Sequence, residues 1–369
     1  MVRSADGFDR PRVDIEGGKS SHDEARSFRR ICPGARLTAP PAESHEHPVF
    51  GRYWSAWQGA ATDPDIRHAG SSGGVLTALA DWLVRTGRSR AVSAVAASPQ
   101  APQQTTPVRI TSRAEAISAS GSRYAPVAAL TGWDPSPATA LIAKPCEVAA
   151  ARAIVEERGI DSPVMLSFFC AGTPSQRATD GLIRKLLPST ESTAITDLQY
   201  RGDGWPGNFR VRINTGESAS CSYEESWGKH LGMDLQWRCK LCVDGTGMYA
   251  DISVGDFWEA DEHGFPLFKD GDGNSVIIAR TRRGHQLIEQ AALDGIITIG
   301  TVDLDEVARV QPLQTTRRAV LGGRLLGRLI GLRRPPRYAG FGILRKLLRS
   351  PIASARATIG TLTRTIGIR

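Results

Sequence analysis

The chain has 369 residues, 41% hydrophobic and 23% charged, which fits one large or two ordinary soluble domains and excludes a disordered or fibrous protein. Its formal net charge of +8 is unevenly spread: the last acidic residue is Glu306, and 14 Lys and Arg follow it, so a mildly acidic body carries a strongly basic tail whose charge concerns partners rather than fold. Six cysteines are too few for a disulfide scaffold, the charged residues 1–14 do not read as a signal peptide, and no apolar run spans a bilayer, so a cytoplasmic protein using its thiols for metal or redox chemistry is expected.

Residues 1–50 are polar and predict little regular structure beyond a short helix near 22–30. Residues 53–57 read as a strand. Ser71-Ser72-Gly73-Gly74 then precedes apolar residues at 75, 76, 79, 82 and 83, a helical pattern ended by Gly87. A strand follows over 91–97, a loop over 99–107, a strand over 108–111 and a short helix over 113–119. Ser120-Gly121-Ser122-Arg123-Tyr124 forms a second Ser/Gly loop. A helix start presents free N–H groups and a positive dipole end to phosphate, and glycine lets the backbone approach closely. Arg123 adds a cation and Tyr124 a flat ring; for each loop the plainer alternative is an ordinary capped helix start or turn.

Residues 138–187 carry the clearest pattern. A buried strand over 138–143 leads through a turn at Lys144-Pro145-Cys146 into a helix over 147–158. A second strand over 164–169 ends at Cys170, and Ala171-Gly172 turns into a helix over 173–187. There Thr173 and Gln176 suit a capping box with Pro174 at the first helical position. Two strand–helix units predict a parallel sheet with both loops at its carboxyl edge, where α/β proteins bind ligands, so Cys146 and Cys170 should face one crevice.

Residues 197–258 look richer in β-structure, with strands over 209–213 and 252–257. Between them the loop from Arg201 to Gly207 carries Trp205, placed to stack on a flat cofactor or simply to close a hairpin. A strand over 275–280 and a helix over 285–293 follow. In the tail from 311, Ile343, Leu344, Leu347, Leu348 and Ile352 share a helical face opposite Arg345, Lys346 and Arg349. Such a helix suits an anionic membrane or an acidic partner; the plainer reading is a solvated tail. The fold class expected is α/β, mixed α+β, with a parallel βαβ core, an added β-rich segment and a basic helical tail. The expected divisions are 1–50, 51–135, 136–310 and 311–369: an extension, an α/β domain with both Ser/Gly loops, an α/β domain with Cys146, Cys170, Cys239 and Cys242, and the tail.

Cys239-Lys240-Leu241-Cys242 places two sulfurs on one turn. With Cys146 and Cys170 it makes a four-sulfur set without histidine, suited to a 4Fe-4S cluster or an all-thiolate zinc site. Taken separately, the pair could be a redox dithiol or half a zinc knuckle, and the other two could be buried apolar residues. Cys32 and Cys221 read as structural. Lys144, two residues before Cys146, is a cation suited to negative charge on a reduced flavin, or a plain surface lysine.

Over residues 50–300 the set resembles the coenzyme F420 hydrogenase/dehydrogenase beta subunit family. The resemblance rests on Ser72-Gly73-Gly74-Val75, Ser120 to Tyr124, Lys144-Pro145-Cys146-Glu147-Val148, Phe169-Cys170-Ala171-Gly172, Arg201 to Gly207, the Cys239/Cys242 pair, and Ala250 to Asp256, in that order. It implies an FAD-binding iron–sulfur flavoprotein akin to deazaflavin-reducing subunits and reductases of chlorophyll precursors. By that resemblance Cys146, Cys170, Cys239 and Cys242 are cluster ligands. Ser71, Ser72, Gly73, Gly74, Ser120, Gly121, Ser122, Arg123 and Tyr124 hold the flavin phosphates and ribose, and Lys144 and Trp205 flank the reactive ring. Glu147 replaces a customary Gln, and Ala143 a customary Gly. Many relatives begin with a ferredoxin-like module, and residues 6–14 and 31–34 resemble the stretch just after it, so electrons are expected from a separate ferredoxin-like carrier or partner subunit.

The expected function is an FAD- and 4Fe-4S-dependent oxidoreductase acting on a small organic substrate or on the deazaflavin coenzyme F420. It would sit in the cytoplasm, or at the inner membrane face if the tail docks there. One rival is a zinc-stabilised protein whose tail binds nucleic acid, against which the acidic body and its lack of a basic, aromatic face argue. The other is a redox-silent accessory subunit.

Overall fold

A computed structural model describes residues 1–12, 22–41, 44–188, 194–261, 267 and 270–367. Its central sheet is built from β1 (Ser55–Ala61), β2 (Ala91–Ala97), β3 (Thr105–Ile110), β4 (Thr139–Ala143) and β5 (Val164–Phe168). A separate three-stranded antiparallel sheet, β6 (Ile195–Gln199), β7 (Phe209–Ile213) and β8 (Ser218–Cys221), interrupts it. The chain then returns through β9 (Ile252–Asp256), β10 (Ser275–Ala279) and β11 (Ile297–Gly300). The eight strands lie in the order β11-β1-β10-β9-β5-β4-β2-β3. β2, β4, β5 and β9 are parallel neighbours, and each of the remaining strands pairs antiparallel with its neighbours. The fold is α/β with a mixed sheet, and the parallel core falls where the two strand–helix units predict it.

The central strands are buried on both faces, hence their near-continuous apolar runs. Helices α1 (Val75–Arg85) and α4 (Arg282–Leu293) cover one face: Leu79, Trp82, Leu83, Ile288 and Ala291 pack with Leu166, Ile252 and Ile277. Helix α2 (Pro145–Arg158) covers the other, with Val148, Ala151 and Val155 against Leu141 and Met165. Asp251, just before β9, pins the layers together. It accepts from Met165 N–H (2.9 Å) and pairs with Arg152 (2.8 Å) and Arg283 (2.6 Å). Burial opposes its ionisation, but the two guanidinium groups outweigh that and hold its pKa below the usual carboxylate value.

Several local expectations are corrected. Helix α2 begins at Pro145 with Lys144 as its N-cap, so Cys146 lies in the first helical turn. Helix α3 (Gln176–Leu186) is capped by Ser175, whose Oγ accepts from Ala178 N–H (3.0 Å). The Thr173/Gln176 box does not form, because Thr173 C=O and Ser175 N–H bond instead to Gln236 and Asp234 (2.9 Å each), and this cross-chain pairing delays the helix. β3 starts at Thr105 and tolerates Pro107 because it is the sheet's edge strand. The strand expected over 53–57 breaks at Trp54.

The first fifty residues hold more structure than expected. Gly7 C=O accepts from Gln176 N–H (2.9 Å), Phe8 and Cys32 are buried, helix His22–Ile31 reaches Glu157 through Ser27 and Arg30, and strand Arg36–Thr38 pairs in parallel with Arg337–Ala339. The tail is helical throughout its main part: α5 (Pro312–Ile330), α6 (Ile343–Arg349) and α7 (Pro351–Thr365). The single apolar face expected over 343–352 is broken, because Pro351 cannot continue α6 and instead starts α7. Among the described residues no helix is long and apolar enough to cross a membrane.

Candidate cofactor site

β4, β5 and β9 end at one sheet edge, and a cavity of about 600 Å³ opens there, within the size range of cofactor pockets, about 300–1,000 Å³. Its walls include Ser71, Ser72 and Gly74, all of residues 120–124, Lys144, Cys170 and Arg201.

At one end, Gly74 is the N-cap of α1 at φ 72° and offers no side chain to cap it. The first-turn residues Val75, Leu76 and Thr77 line the cavity. Their free N–H groups and the helix dipole therefore face the space, an arrangement that favours an anion. The hydroxyls here hold the loops together: Ser122 Oγ donates to Ser71 Oγ (2.8 Å), Ser120 Oγ to Ala69 C=O (3.2 Å) and Ser72 Oγ to Asn274 C=O (3.0 Å). Gly121, at φ 79°, passes so close to Arg201 C=O that a Cβ would lie 2.7 Å from it. Gly73 is absent from the cavity wall; its N–H donates to Ser275 Oγ (3.0 Å) and its C=O accepts from Ala61 (2.6 Å).

The role expected of the Arg123 cation is corrected. Its guanidinium donates to Leu198, Pro102 and Gln104 carbonyls (2.9, 2.7 and 2.9 Å) and to Thr105 Oγ1 (3.2 Å), and it stacks on Tyr200, so it is committed to the scaffold. Tyr124 does line the cavity, its ring 5.0 Å from that of Trp227.

The opposite end is charged and aromatic. Lys144 Nζ pairs with Glu147 Oε1 (2.8 Å), and Glu147 Oε2 accepts from Lys144 N–H (3.0 Å). Burial opposes the ammonium charge, but Glu147 and the neighbouring Cys146 and Cys170 outweigh it and hold the pKa above the lysine range. Arg201 is buried; its Nε donates to Pro206 C=O (2.8 Å), its Nη1 pairs with Asp256 (2.8 Å), and Trp205, Tyr223 and Trp258 surround it. Among the described residues its Nη2 has no hydrogen-bond partner of good geometry, with the Tyr124 and Tyr223 hydroxyls as its neighbours. Trp205 is not on the cavity wall: it packs on Trp258, ring centroids 4.1 Å apart, and Trp258 and Tyr223 line the wall.

Behind Cys170 the three cysteine loops converge, and all four thiols are free. Cys170 N–H donates to Gly245 C=O (2.8 Å), and its C=O accepts from Arg317 (2.9 Å) and Gln314 (3.3 Å) of α5. Cys239 Sγ accepts from Thr173 N–H (3.4 Å). Cys242 Sγ donates to Asp244 C=O (3.1 Å), and the Asp244 carboxylate takes the N–H groups of Thr246, Gly247 and Met248, fixing the turn. Burial pushes the Cys146 thiol well up, Cys170 up to about 12 and Cys242 up to about 11. Charge on Cys170 is felt at Cys146, and charge on Cys239 and Cys242 at Cys170. Among the described residues no three His, Cys, Asp or Glu side chains are gathered tightly enough to hold a single metal ion. Cys221 lies in the core of the small sheet, while Cys32 faces Arg238 (3.9 Å) and, like Cys146 and Cys242, lies near the Tyr338 hydroxyl.

Residues 56–132 match the N-terminal region, and residues 138–305 the C-terminal region, of the coenzyme F420 hydrogenase/dehydrogenase beta subunit family. The chain belongs to this family. It thereby groups with oxidoreductase components that handle electrons. Among solved structures the chain is similar to one in the xenon-derivatised F420-reducing [NiFe] hydrogenase complex from Methanosarcina barkeri, at 20% identity and TM-score 0.56, covering 80% of this chain and 99% of that one. That likeness speaks for the fold. No curated protein matches.

Sequence reasoning left four site residues without a role. Glu147 stood out only as a departure from the family's usual Gln, yet it is the Lys144 counter-ion. Arg201 was only the first residue of a turn. Gln314 and Arg317 gave no signal, since a basic tail says nothing of where its first helix packs.

Proposed function

We propose that this chain is an FAD- and 4Fe-4S-dependent oxidoreductase that passes electrons between a ferredoxin-like carrier or partner subunit and an organic substrate or deazaflavin such as coenzyme F420. One observation carries the reading: a single cavity has both Ser/Gly loops, Lys144 and Cys170 in its walls, with Cys146, Cys239 and Cys242 behind Cys170. Bound there, FAD would supply hydride chemistry and the cluster single-electron transfer.

The residues fit these groups. The uncapped start of α1 and the main chain of residues 120–122 would take the flavin phosphates. Lys144 would place a cation where negative charge grows on reduction, moderated by Glu147. Arg201 Nη2 supplies a hydrogen-bond donor for a carbonyl oxygen on the cofactor or substrate, while Trp258 and Tyr223 exclude water. Cys146, Cys170, Cys239 and Cys242 would hold the cluster. A zinc ion needs its sulfurs about 2.3 Å away around one point, closer than these thiols gather. A 4Fe-4S cluster is bulkier and takes each sulfur at a different iron, so its four thiols need not converge on one point. Anaerobically purified protein should be brown, bleach with dithionite, and release flavin on denaturation. Colourless protein with stoichiometric zinc would overturn the reading.

A further inference from the structure

The C-terminal helices are built inside out. In α7 the side facing α5 is small and polar: Ser354 and Thr361 are buried there, and Thr358 Oγ1 donates to Gly323 C=O (3.0 Å). Gly323, Gly327 and Gly331 of α5 recur every fourth residue and meet Ser354, Thr358 with Thr361, and Thr365 in turn. A Cβ at Gly323 or Gly327 would strike a carbonyl oxygen of the facing helix. Two helices thus touch through glycine, serine and threonine, a packing that needs no apolar seam.

In α6, Ile343 and Leu347 pack on Gly322 of α5, but other large apolar residues of α6 and α7 lie outside. Leu344 is 71% exposed, Leu348 68%, Ile352 71% and Ile359 63%. Leu344 and Leu348 share a face of α6, and Ile352 and Ile359 share a face of α7, so each helix carries its own exposed apolar strip. The exposed Arg345, Arg349 and Arg356 flank these residues, and no acidic residue follows Glu306. In a helix solvated on its outer face the polarity would be the reverse. The inner arginines are used differently: Arg317, Arg318, Arg324 and Arg328 bind Cys170 and Ala171, Val49, Lys240, and the Trp237 ring. They fasten α5 to the body and leave α6 and α7 as its outer layer.

We infer that α6 and α7 form a docking surface for an anionic lipid bilayer, lying in the headgroup plane with the exposed leucines and isoleucines dipped into the acyl boundary. Exposed apolar side chains flanked by arginines fit that environment: the leucines and isoleucines gain burial and the arginines gain lipid phosphates. An acidic protein partner would satisfy the charges but not the exposed aliphatic side chains of both helices without a matching groove. The inference is independent of which cofactors the body holds.

Flotation of the full chain with vesicles tests it. Binding to vesicles containing phosphatidylglycerol should exceed binding to pure phosphatidylcholine by at least about tenfold and weaken with salt. Arg345→Gln, Arg349→Gln and Arg356→Gln should each weaken it about fivefold, the factor for about 1 kcal/mol per surface charge. Leu344→Ser, Leu348→Ser, Ile352→Ser and Ile359→Ser together should abolish insertion with the thermal melt unchanged, since all four are exposed. Equal binding to neutral vesicles, unchanged binding of the serine variant, or self-association in place of vesicle binding would each overturn the inference.

Discussion

The two ends of the cavity are built on opposite principles. At the α1 end the wall is mainly polar and main-chain: serine hydroxyls bond to one another or to carbonyls, the Arg123 guanidinium is spent on carbonyls and a threonine hydroxyl, and a helix start is left. At the other end the wall carries ion pairs, Lys144 with Glu147 and Arg201 with Asp256, beside the thiol of Cys170. The first end should tolerate changes of side-chain chemistry but not of backbone space; the second should respond to charge while keeping its shape.

The largest expected effect lies behind the charged end. Cys146→Ser, Cys170→Ser, Cys239→Ser or Cys242→Ser should remove the iron and the brown absorption, read by iron assay and anaerobic spectrum, whereas Cys32→Ser and Cys221→Ser should keep both. Retention of full iron in any of the first four would break the contrast. Next comes Arg201→Met, which leaves Asp256 without its buried partner and should cost about 3–5 kcal/mol in urea denaturation. Asp251→Asn tests the floor beneath both ends, with a loss of about 3 kcal/mol at neutral pH. The Asp251 pKa is depressed in the fold, so its contribution is present above its ordinary value of 3.8 and is lost as pH falls below that. The variant should therefore show a flatter fall in stability on acidification.

At the other end, Gly121→Val forces a branched residue into a positive φ against Arg201 C=O. We expect a loss of about 1–3 kcal/mol and weaker flavin retention, while Ser122→Ala changes retention little. Equal effects of the two would erase the distinction between the ends. The smallest change expected is Glu147→Gln. It removes the counter-ion of Lys144 without altering shape, and should raise the flavin midpoint potential by about 30 mV, equivalent to about 1.4 kcal/mol for two electrons, in a spectroelectrochemical titration.

Much of the frame was legible from pattern alone. The buried strands over 138–143 and 164–169, each followed by a helix, implied the parallel core and brought Cys146 and Cys170 to one edge. The helix start at Gly74 was readable for the same reason: local residue types fix local backbone. The start of α3 was not, because its capping depends on hydrogen bonds to Asp234 and Gln236, distant in sequence. Nor was the use of Arg123, since a cation in a loop carries no mark of whether it meets a ligand or the chain's own carbonyls.

Periodicity and turn chemistry, which act over a few residues, determined most elements of this protein, and the order of its short motifs carried the resemblance to its family. Only tertiary packing decided that Arg201 keeps an unpaired donor beside the cavity, that Trp258 rather than Trp205 forms its wall, and that α5 closes over the Cys170 loop. It alone turned Leu344, Leu348, Ile352 and Ile359 outward. The reason is that side-chain partners are chosen by three-dimensional proximity, and a one-dimensional pattern states which groups need partners without naming them.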